Sequence, residues 1–592
     1  MSAKFFNPLA RFDQIEQLSG MDASFVYTET SKTPMHIGSI CIYDPSTAPD
    51  GKVRYKDILN YVGSRLHLTK SFRQMLKRVP LNIDHPYWVN DPDFDIEFHI
   101  RHIALPQPGD WRQLCIQAAR IHSRPIDMSK PLWEFWVIEG LDNIPDIPKG
   151  SYAIISKIHH SAIDGVSGVE IVKAVHTLSP EIVEINAPEE DRKVHRPSNF
   201  ELLARAQVNA LTKPFHRLDV ARRMAPGALK YLAGVRRGEF ELFGNSVPRT
   251  RFNGVASGHR VVEGRMFELE KIKDIRKKVP GATVNDVMLT LVGGALRKYL
   301  DGKNELPTDS LIAMAPVSVR SESEKGAMGN EVSALSIALG THIRDPLSRL
   351  HYVFDTTKTS KATSNAIGAR QLSDASKLAP SMVSGVAARL YTRLGLANRI
   401  KPIFNTVVSN VPGPPVPLYM NGARMVASYG LGPVLDGVGL FHAVTSYCGQ
   451  IAVFFSSCRK MLPDPEFYAQ CLQESYDELY DVTVAKTGKK KRKRTAVGKS
   501  TNISDKTKDK AAIVDDLTMI NGIGKTISGK LHAYGVTSFS QIAKLTASDI
   551  KKIEKTLNFK GRISRDDWVQ QAKALAKIAR GNRAGAEQPT VH

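Results

Sequence analysis

The sequence predicts an α/β fold with more than one domain and a small helical module at its C-terminal end. The chain has 592 residues, and one hydrophobic core seldom organises more than about 300, so roughly two to four domains are expected. Strand and helix patterns alternate from residue 33 to residue 178, as in domains built on a central sheet. At Lys486 the composition becomes lysine-rich and polar, and apolar residues resume their spacing only near residue 515. That break separates two folding units.

The first segment alternates between two periodicities. Runs rich in β-branched and aromatic residues predict strands, and apolar residues repeated every three or four positions predict helices. The predicted strands are residues 36–43, 94–103, 132–138 and 152–158, and the predicted helices are residues 55–66 and 111–122. The second segment, residues 258–485, repeats this character, with helices expected from residue 285 onwards and at 464–480, and strands at 405–411 and within 422–455.

Two adjacent histidines, His159 and His160, stand where the predicted strand 152–158 ends and a loop begins. Histidine has an unperturbed pKa of about 6.5, so it is largely neutral at cellular pH yet able to accept a proton. Asp164 can hold the turn or a cation, and Gly165 allows backbone conformations that a Cβ forbids. These residues suit a catalytic base. The pair alone is equally consistent with hydrogen-bonded core histidines or a fragment of a metal site.

The stretch 159–165, which reads HHSAIDG, resembles the HHxxxDG signature of coenzyme A-dependent acyltransferases of the chloramphenicol acetyltransferase type and of peptide-synthetase condensation domains. Other segments resemble one branch only, the bacterial wax ester synthase/diacylglycerol acyltransferase family. Residues 131–133 look like its PLW segment, and residues 285–286 look like its ND motif. Further similar segments are residues 18–22, 316–320, 329–333 and 409–414. The matches keep the family's order from about Leu18 to about Val482, which is far more specific than the histidine pair.

The resemblance implies two chloramphenicol-acetyltransferase-like lobes with a central cleft or tunnel that the histidine motif faces. The expected parts of the chain are an N-terminal acyltransferase lobe at residues 1–181, a linker and basic amphipathic crossover at 182–257, a C-terminal acyltransferase lobe at 258–485, a basic disordered linker at 486–514, a helix-hairpin-helix-like module at 515–580 and a disordered tail at 581–592.

The resemblance also implies roles for single residues. His160 is expected to be the general base that removes the proton of an acceptor alcohol, and His159 to shape or orient the site. Asp164 is expected to brace the loop through an arginine that the sequence does not identify, next to Gly165 in the turn. Asn285 is expected to donate a hydrogen bond to the developing oxyanion.

Four more residues are expected close to the substrate. Asp286 follows Asn285 at the start of a predicted helix, where a simple capping role is equally consistent. Pro131, Leu132 and Trp133 are candidates for lining the acyl channel. A buried tryptophan in a core strand is the simpler interpretation of Trp133.

The implied reaction is acyl transfer from a long-chain acyl-coenzyme A to a lipid hydroxyl. Acyl-coenzyme A is then a co-substrate, and no tightly bound cofactor or metal is expected. Diacylglycerol as acceptor gives triacylglycerol, whereas a long-chain alcohol gives a wax ester, and the width of the pocket decides between them. Two other classes stay open. A condensation-type enzyme is expected beside a carrier domain with a phosphopantetheine serine, which we do not recognise in the sequence. A non-catalytic lipid- or nucleic-acid-tethering protein would keep the fold with an idle site.

The net charge of +22 at pH 7 predicts attraction to phospholipid head groups, coenzyme A phosphates or nucleic acid. Residues 200–243 contribute to this charge, in a segment with helical periodicity in which basic residues alternate with apolar ones. Such a segment is expected either to lie on anionic lipid as an interfacial helix or to connect the lobes as an ordinary amphipathic crossover.

The sequence contains neither a signal-peptide pattern nor an apolar run of about 20 residues, so no membrane-spanning helix is expected. Its five cysteines, at positions 41, 115, 448, 458 and 471, show no paired or metal-type spacing, which is typical of a reducing compartment. We therefore expect a cytoplasmic protein that is peripherally associated with the inner membrane or with lipid inclusions.

The C-terminal segment, residues 515–580, resembles a helix-hairpin-helix module. Residues 521–525, which read NGIGK, supply a turn between two helical patterns. In nucleic-acid-binding forms of the module, such a turn leaves backbone N–H groups free to hold phosphate. Gly-x-Gly is a weak signal, and Asp515, Asp516, Asp566 and Asp567 add negative charge nearby. Nucleic acid binding, protein docking and a stabilising role therefore stay open.

Overall fold

A computed structural model of the chain describes residues 15–163, 167–183, 196–211, 247–318, 332–367 and 390–485, the single residues 185, 222, 233, 236 and 237, and part of 515–576. The chain divides into two compact units, Met1–Ala496 and Val497–His592.

The first unit is built on two large sheets. Its strands are β1 Glu16–Gln17, β2 His36–Asp44, β3 Gln74–Lys77, β4 Tyr87–Asn90, β5 Ile100–Ala104, β6 Trp133–Glu139, β7 Tyr152–His159, β8 Arg260–Glu268, β9 Ile312–Ser318, β10 Val332–Ala338, β11 Thr406–Pro412, β12 Tyr419–Met420, β13 Ala423–Leu431, β14 Leu440–Tyr447 and β15 Gln450–Cys458. One six-stranded sheet has the order β12-β13-β2-β7-β6-β5, the other has the order β10-β9-β11-β14-β15-β8, and β1, β4 and β3 form a small third sheet.

Helices pack against the large sheets in the first unit and also form part of the second unit. They are α1 Gly20–Thr28, α2 Tyr55–Gly63, α3 Ile96–His99, α4 Trp111–His122, α5 Ser167–Val175, α6 Leu269–Arg276, α7 Val284–Asp301, α8 Pro346–Ile367, α9 Pro465–Tyr480, α10 Lys525–Tyr534 and α11 Phe539–Ile542. Residues 199–211 are also helical. None of these described helices combines the length with the apolar character that a bilayer crossing requires.

The two sheets are joined by an exchange of strands. β12 and β13 belong to the second half of the chain, yet β13 pairs antiparallel with β2 of the first sheet, from Arg424 opposite Asp44 to Leu431 opposite Gly38. β14 then follows in the second sheet, where it pairs with β11 and β15. The lobes therefore share main-chain hydrogen bonds as well as side-chain packing.

A second link between the lobes is α4. Side chains alternate across a strand, so Ile40 and Ile42 of β2 face a core that α4 completes, while Tyr43 faces a core on the other side of the sheet. The α4 core also includes Phe454 of β15. At the start of α4, the indole Nε1 of Trp111 donates to the buried carboxylate of Glu263 in β8, at 2.6 Å.

The predicted elements are largely confirmed in the first lobe. β2, α4 and β7 agree with the predicted ranges to within one residue at each end. The single strand predicted at 94–103 is wrong. The side chain of Asp95 accepts the N–H of Glu97 at 2.9 Å and starts the short helix α3, so the strand begins only at Ile100.

The second unit has its own apolar core. Leu531 of α10 and Phe539 of α11 pack there with the buried Trp568.

In the first unit the five cysteines are free thiols.

Candidate active site

The end of β7 fixes the main chain of the histidine pair. The N–H of His159 donates to the carbonyl of Leu132 at 2.9 Å, and the N–H of His160 donates to the carbonyl of Met35 at 2.8 Å. The pair is thereby tied to β6 on one side and to the start of β2 on the other. His159, the last residue of β7, is fully buried, whereas His160, the first residue after the strand, is half-buried.

His159 has partners on both ring nitrogens. Its Nδ1 accepts the N–H of Ser161 at 3.1 Å and faces the Ser161 hydroxyl at 2.6 Å. A nitrogen that accepts a backbone N–H carries no proton, so the proton lies on Nε2. Nε2 donates to the Glu29 carboxylate at 3.1 Å, and the same oxygen accepts the N–H of Met35 at 2.8 Å. Glu29 therefore fixes the tautomer of His159 and also the main chain that His160 contacts.

His160 lies against an aromatic ring. Its imidazole stacks on Phe25 of α1, with ring centroids 3.9 Å apart and planes inclined by 19°. Burial lowers the pKa of His160 from 6.5 to about 4, an effect that its own backbone opposes weakly. Nδ1 is shielded and has no hydrogen-bond partner among the described residues. The ring is therefore neutral at cellular pH and able to accept a proton, as the general-base hypothesis requires.

Two further buried histidines lie behind the pair. His36 of β2 is the register partner of His159, and its Nε2 donates to the carbonyl of His122 at 3.0 Å. The Nε2 of His122 donates to the carbonyl of Gly432 at 2.9 Å. Burial lowers the pKa of His36 well below its usual range and lowers that of His122 to about 3. These two buried imidazoles are thus neutral at cellular pH.

A buried ion pair lies two residues before the histidines. The Nζ of Lys157 donates to the Glu134 carboxylate at 3.1 Å and to the carbonyl of Arg124 at 2.8 Å. The indole of Trp136 donates to the same carboxylate at 3.0 Å. Removing one partner of such a buried pair costs about 3–5 kcal/mol, because the other charge is left unpaired, so Lys157 and Glu134 depend on each other at the junction of β6 and β7.

The residues of the PLW segment are core residues. Pro131, Leu132 and Trp133 are all buried, and the Trp133 indole donates to the carbonyl of Phe72 at 3.0 Å. The carbonyl of Leu132 accepts the N–H of His159. A role of these side chains in lining an acyl channel stays a prediction. Asp164 and Gly165 lie outside the described residues.

Asn285 and Asp286 lie in the first turn of α7, in the other lobe. Asp286 and Thr283 form a reciprocal cap, in which the Asp286 carboxylate accepts the N–H of Thr283 at 2.7 Å and Thr283 Oγ1 accepts the N–H of Asp286 at 3.3 Å. Asp286 is buried. The side chain of Asn285 is half-buried, and its Oδ1 accepts from Asn410 of β11 at 3.1 Å. The structure thus gives Asp286 a capping role, and the Nδ2 donor of Asn285 has no hydrogen-bond partner among the described residues.

Sequence reasoning missed Phe25, Glu29 and the contact of Asn410. Glu29 precedes its partner His159 by 130 residues, and Asn410 follows Asn285 by 125. No local periodicity links residues so far apart. The one available signal for Asn410 was its place in the segment 409–414, which resembles the family's pattern.

A cavity of about 640 Å³ lies elsewhere in the first lobe. It is lined by α2 and by the chain just after β2, including Lys52, Tyr61 and Arg65. The histidine pair lies beside His36, at the opposite end of β2, and a nine-residue strand spans roughly 30 Å. That cavity is not part of the candidate active site.

Two lobes that share strands, with a neutral histidine at the end of a central strand, are the arrangement expected of the HHxxxDG acyltransferases. The chain belongs to the wax ester synthase/diacylglycerol acyltransferase family and is an acyltransferase. The family's catalytic domain matches residues 18–288, and its C-terminal domain matches residues 328–480. Residues 517–576 match the RS2/RL21/YNQ2 helix-hairpin-helix domain, which confirms the class of the last module but leaves its ligand a prediction.

Relatives of known name support this membership. A Mycobacterium tuberculosis protein, described as a candidate diacylglycerol O-acyltransferase, is 31% identical over 79% of this chain and 90% of its own length. The probable diacylglycerol O-acyltransferase tgs2 of the same species is 31% identical over 77% of this chain and 97% of its own length. The solved structure of a wax ester synthase/diacylglycerol acyltransferase from Marinobacter aquaeolei is 26% identical, with a TM-score of 0.55, and covers 78% of this chain and 98% of that one.

Replacing Glu29 by Ala is expected to lower kcat by about tenfold to a hundredfold with little change in KM for acyl-coenzyme A, because misplacement of a base costs rate rather than binding. Glu29→Gln keeps an oxygen that accepts from His159, so it should retain most of the activity. Steady-state kinetics on the three proteins, with thermal unfolding of each, measures this.

The matched control is Glu139→Ala, which removes the carboxylate of an exposed pair with His102 at 3.2 Å. It should leave kcat unchanged. Equal kinetics for Glu29→Ala and Glu139→Ala would contradict the positioning role, and so would a Glu29→Gln variant as slow as Glu29→Ala.

The acid limb of kcat/KM is expected well below pH 6.5, towards the pKa of about 4. Burial disfavours the imidazolium, so His160 stays neutral and competent as a base to lower pH than a free histidine. Initial rates across the pH range measure the limb, with tryptophan fluorescence as a control at each pH. That control is needed because acid also destabilises the fold. Below about pH 6.5 His36 and His122 bind protons in the unfolded chain, whereas burial lowers their pKa values in the fold. The free energy of unfolding therefore decreases as pH falls. An acid limb near 6.5 in folded protein would exclude His160 as the titrating base.

Proposed function

We propose that this acyltransferase moves the acyl group of a long-chain acyl-coenzyme A to the hydroxyl of diacylglycerol and so forms triacylglycerol. The observation that carries the proposal is the neutral, half-buried imidazole of His160 at the end of β7, in a chain whose named relatives are diacylglycerol O-acyltransferases. Long-chain alcohols, which give wax esters, are the alternative acceptors.

The proposed reaction needs one base and no acyl-enzyme. Because Nδ1 of His160 is shielded, Nε2 accepts the proton of the acceptor hydroxyl as the oxygen attacks the thioester carbonyl. The new C–O bond gives a tetrahedral oxyanion, which collapses with loss of the C–S bond. The imidazolium then returns the proton to the coenzyme A thiolate, and the ring is neutral again.

The oxyanion needs a hydrogen-bond donor, and we assign Asn285 to that role. Its Oδ1 accepts from the amide of Asn410, which turns the Nδ2 group of Asn285 away from β11. A donor that is oriented before the reaction costs no reorganisation when the negative charge develops. Asn410 is then a positioning residue that acts through Asn285.

A lipid acceptor requires the enzyme to work at a lipid surface, and helix 199–211 has the face for it. Leu202 and Ala206 pack into a small core with Tyr87 of β4. Phe200 and Leu211 lie on the outer side and are 82% and 74% exposed. Basic residues follow directly in the sequence. We therefore place the protein in the cytoplasm, peripherally bound to the inner membrane or to lipid inclusions.

Replacing His160 by Ala is expected to lower kcat/KM by about 10²–10⁴-fold without unfolding the protein, because a positioned base contributes about that factor. The measurement is release of coenzyme A from palmitoyl-coenzyme A, with diacylglycerol and hexadecanol offered separately. His351→Ala, which removes an exposed histidine of α8, is the matched control and should behave as the wild type.

Each result has a separate meaning. Near-normal turnover by His160→Ala would remove the base assignment. Faster turnover with hexadecanol than with diacylglycerol would favour the wax ester alternative. If the folded wild type transferred the acyl group to neither acceptor, the result would favour a non-catalytic tethering protein with an idle site.

Asn285→Ala is expected to lower kcat by about a hundredfold, the usual loss for one oxyanion donor, and Asn410→Ala by a smaller factor. Because Asn410 acts only through Asn285, the double variant should be no slower than Asn285→Ala. Steady-state kinetics of the three variants tests this coupling. Losses that multiply in the double variant would show that Asn410 acts independently.

A further inference from the structure

The segment from Leu390 to Ile403 presents apolar side chains to solvent. Four large aliphatic residues stand out within these fourteen positions. They are Leu390 at 47% exposure, Leu394 at 56%, Ile400 at 51% and Ile403 at 52%. Four exposed aliphatic side chains within so short a segment are typical of a surface that meets another apolar phase.

The backbone of this segment is held firmly on the second lobe. The guanidinium of Arg249 donates to the carbonyl of Ala397 at 3.0 Å and to that of Ile400. The side chain of Asn398 accepts the N–H of Val255 at 3.1 Å, and Ala397 is buried. The exposed side chains are therefore displayed by an anchored segment.

The charge of the segment has one sign. Arg393, Arg399 and Lys401 are exposed and form no ion pair within the described chain. The wider stretch from residue 375 to residue 435 contains six lysines and arginines and no aspartate or glutamate. Alternation of exposed aliphatic and cationic side chains is the pattern of surfaces that bind anionic lipid.

We propose that residues 390–403 form a docking surface for an anionic lipid surface, separate from helix 199–211. The aliphatic side chains enter the head-group region, and the three cations pair with lipid phosphates. A second copy of this chain fits less well, because the surface would then meet its own positive charge. Nucleic acid would use the cations and leave the aliphatic side chains in water. The inference rests on the lipid acceptor proposed above.

The test is flotation of the full chain with phosphatidylglycerol/phosphatidylcholine vesicles and with phosphatidylcholine vesicles alone. The wild type should float with the anionic vesicles. Leu394→Ser/Ile400→Ser and Arg399→Gln/Lys401→Gln should each bind them about thirtyfold more weakly, since each cation near such a surface contributes about 1 kcal/mol, each aliphatic side chain a similar amount, and each variant removes two of them. The matched control is Leu81→Ser, which changes an aliphatic residue of the first lobe that is 83% exposed and should float as the wild type.

Coenzyme A release with detergent-dispersed diacylglycerol separates this inference from the proposed function, because the docking variants should keep that activity. If the wild type and the docking variants all transfer acyl groups and the variants float as well as the wild type, the docking surface is overturned and the proposed function stands. If the docking variants float less than the wild type but the wild type transfers no acyl group, the docking surface is supported and the proposed function fails. A change from dimer to monomer in the Leu394→Ser/Ile400→Ser variant, with unchanged flotation, would assign the surface to a second copy and overturn the inference.

Discussion

The position of the candidate base depends on two main-chain hydrogen bonds at the end of β7. They tie His159 to Leu132 and His160 to Met35, so three adjacent strands must keep their register for the pair to form. A slip by one residue would exchange the faces of the two side chains and bury the base. The register is secured by the apolar alternation of β2 and β7 and by the Lys157–Glu134 pair. The catalytic geometry is therefore a property of the sheet more than of the loop that follows it.

The same sheet holds further buried histidines close to the base. His36, His122 and His159 each donate a ring N–H to an oxygen. Burial then lowers the pKa values of His36 and His122, and the charge of Lys157 adds to this at His36. An environment that disfavours imidazolium leaves His160 ready to accept a proton. The consequence is sensitivity to acid, because the lowered pKa values of His36, His122 and His160 mean that the unfolded chain binds protons more readily than the fold does.

The sequence predicts those parts of the fold that depend on local pattern. The periodicity of residues 111–122 and 152–158 identified α4 and β7, and the order of the motifs identified the family. The single strand predicted at residues 94–103 was wrong, because the Asp95 side chain caps the short helix α3 within a stretch of strand-like composition. The strand exchange of β13 and the contact between Glu29 and His159 were not predictable, because each joins segments far apart in the chain that only the closed fold brings together. Asn285 was correctly placed at a helix start, but the group that orients it lies on another strand.

The proposed docking surface is connected to the proposed oxyanion donor Asn285 through β11, whose Asn410 contacts Asn285. β11 begins at Thr406, just after Ile403, and carries Asn410. Its start is held by Asn405, whose amide donates to Asn253 at 2.9 Å, while Arg249 donates to the carbonyl of Asn253 at 2.9 Å and also anchors residues 397 and 400. β11 lies between two parallel neighbours in the middle of its sheet and so has little freedom to bend. Docking through this segment would therefore fix the orientation of Asn285 relative to the lipid surface from which the acceptor comes.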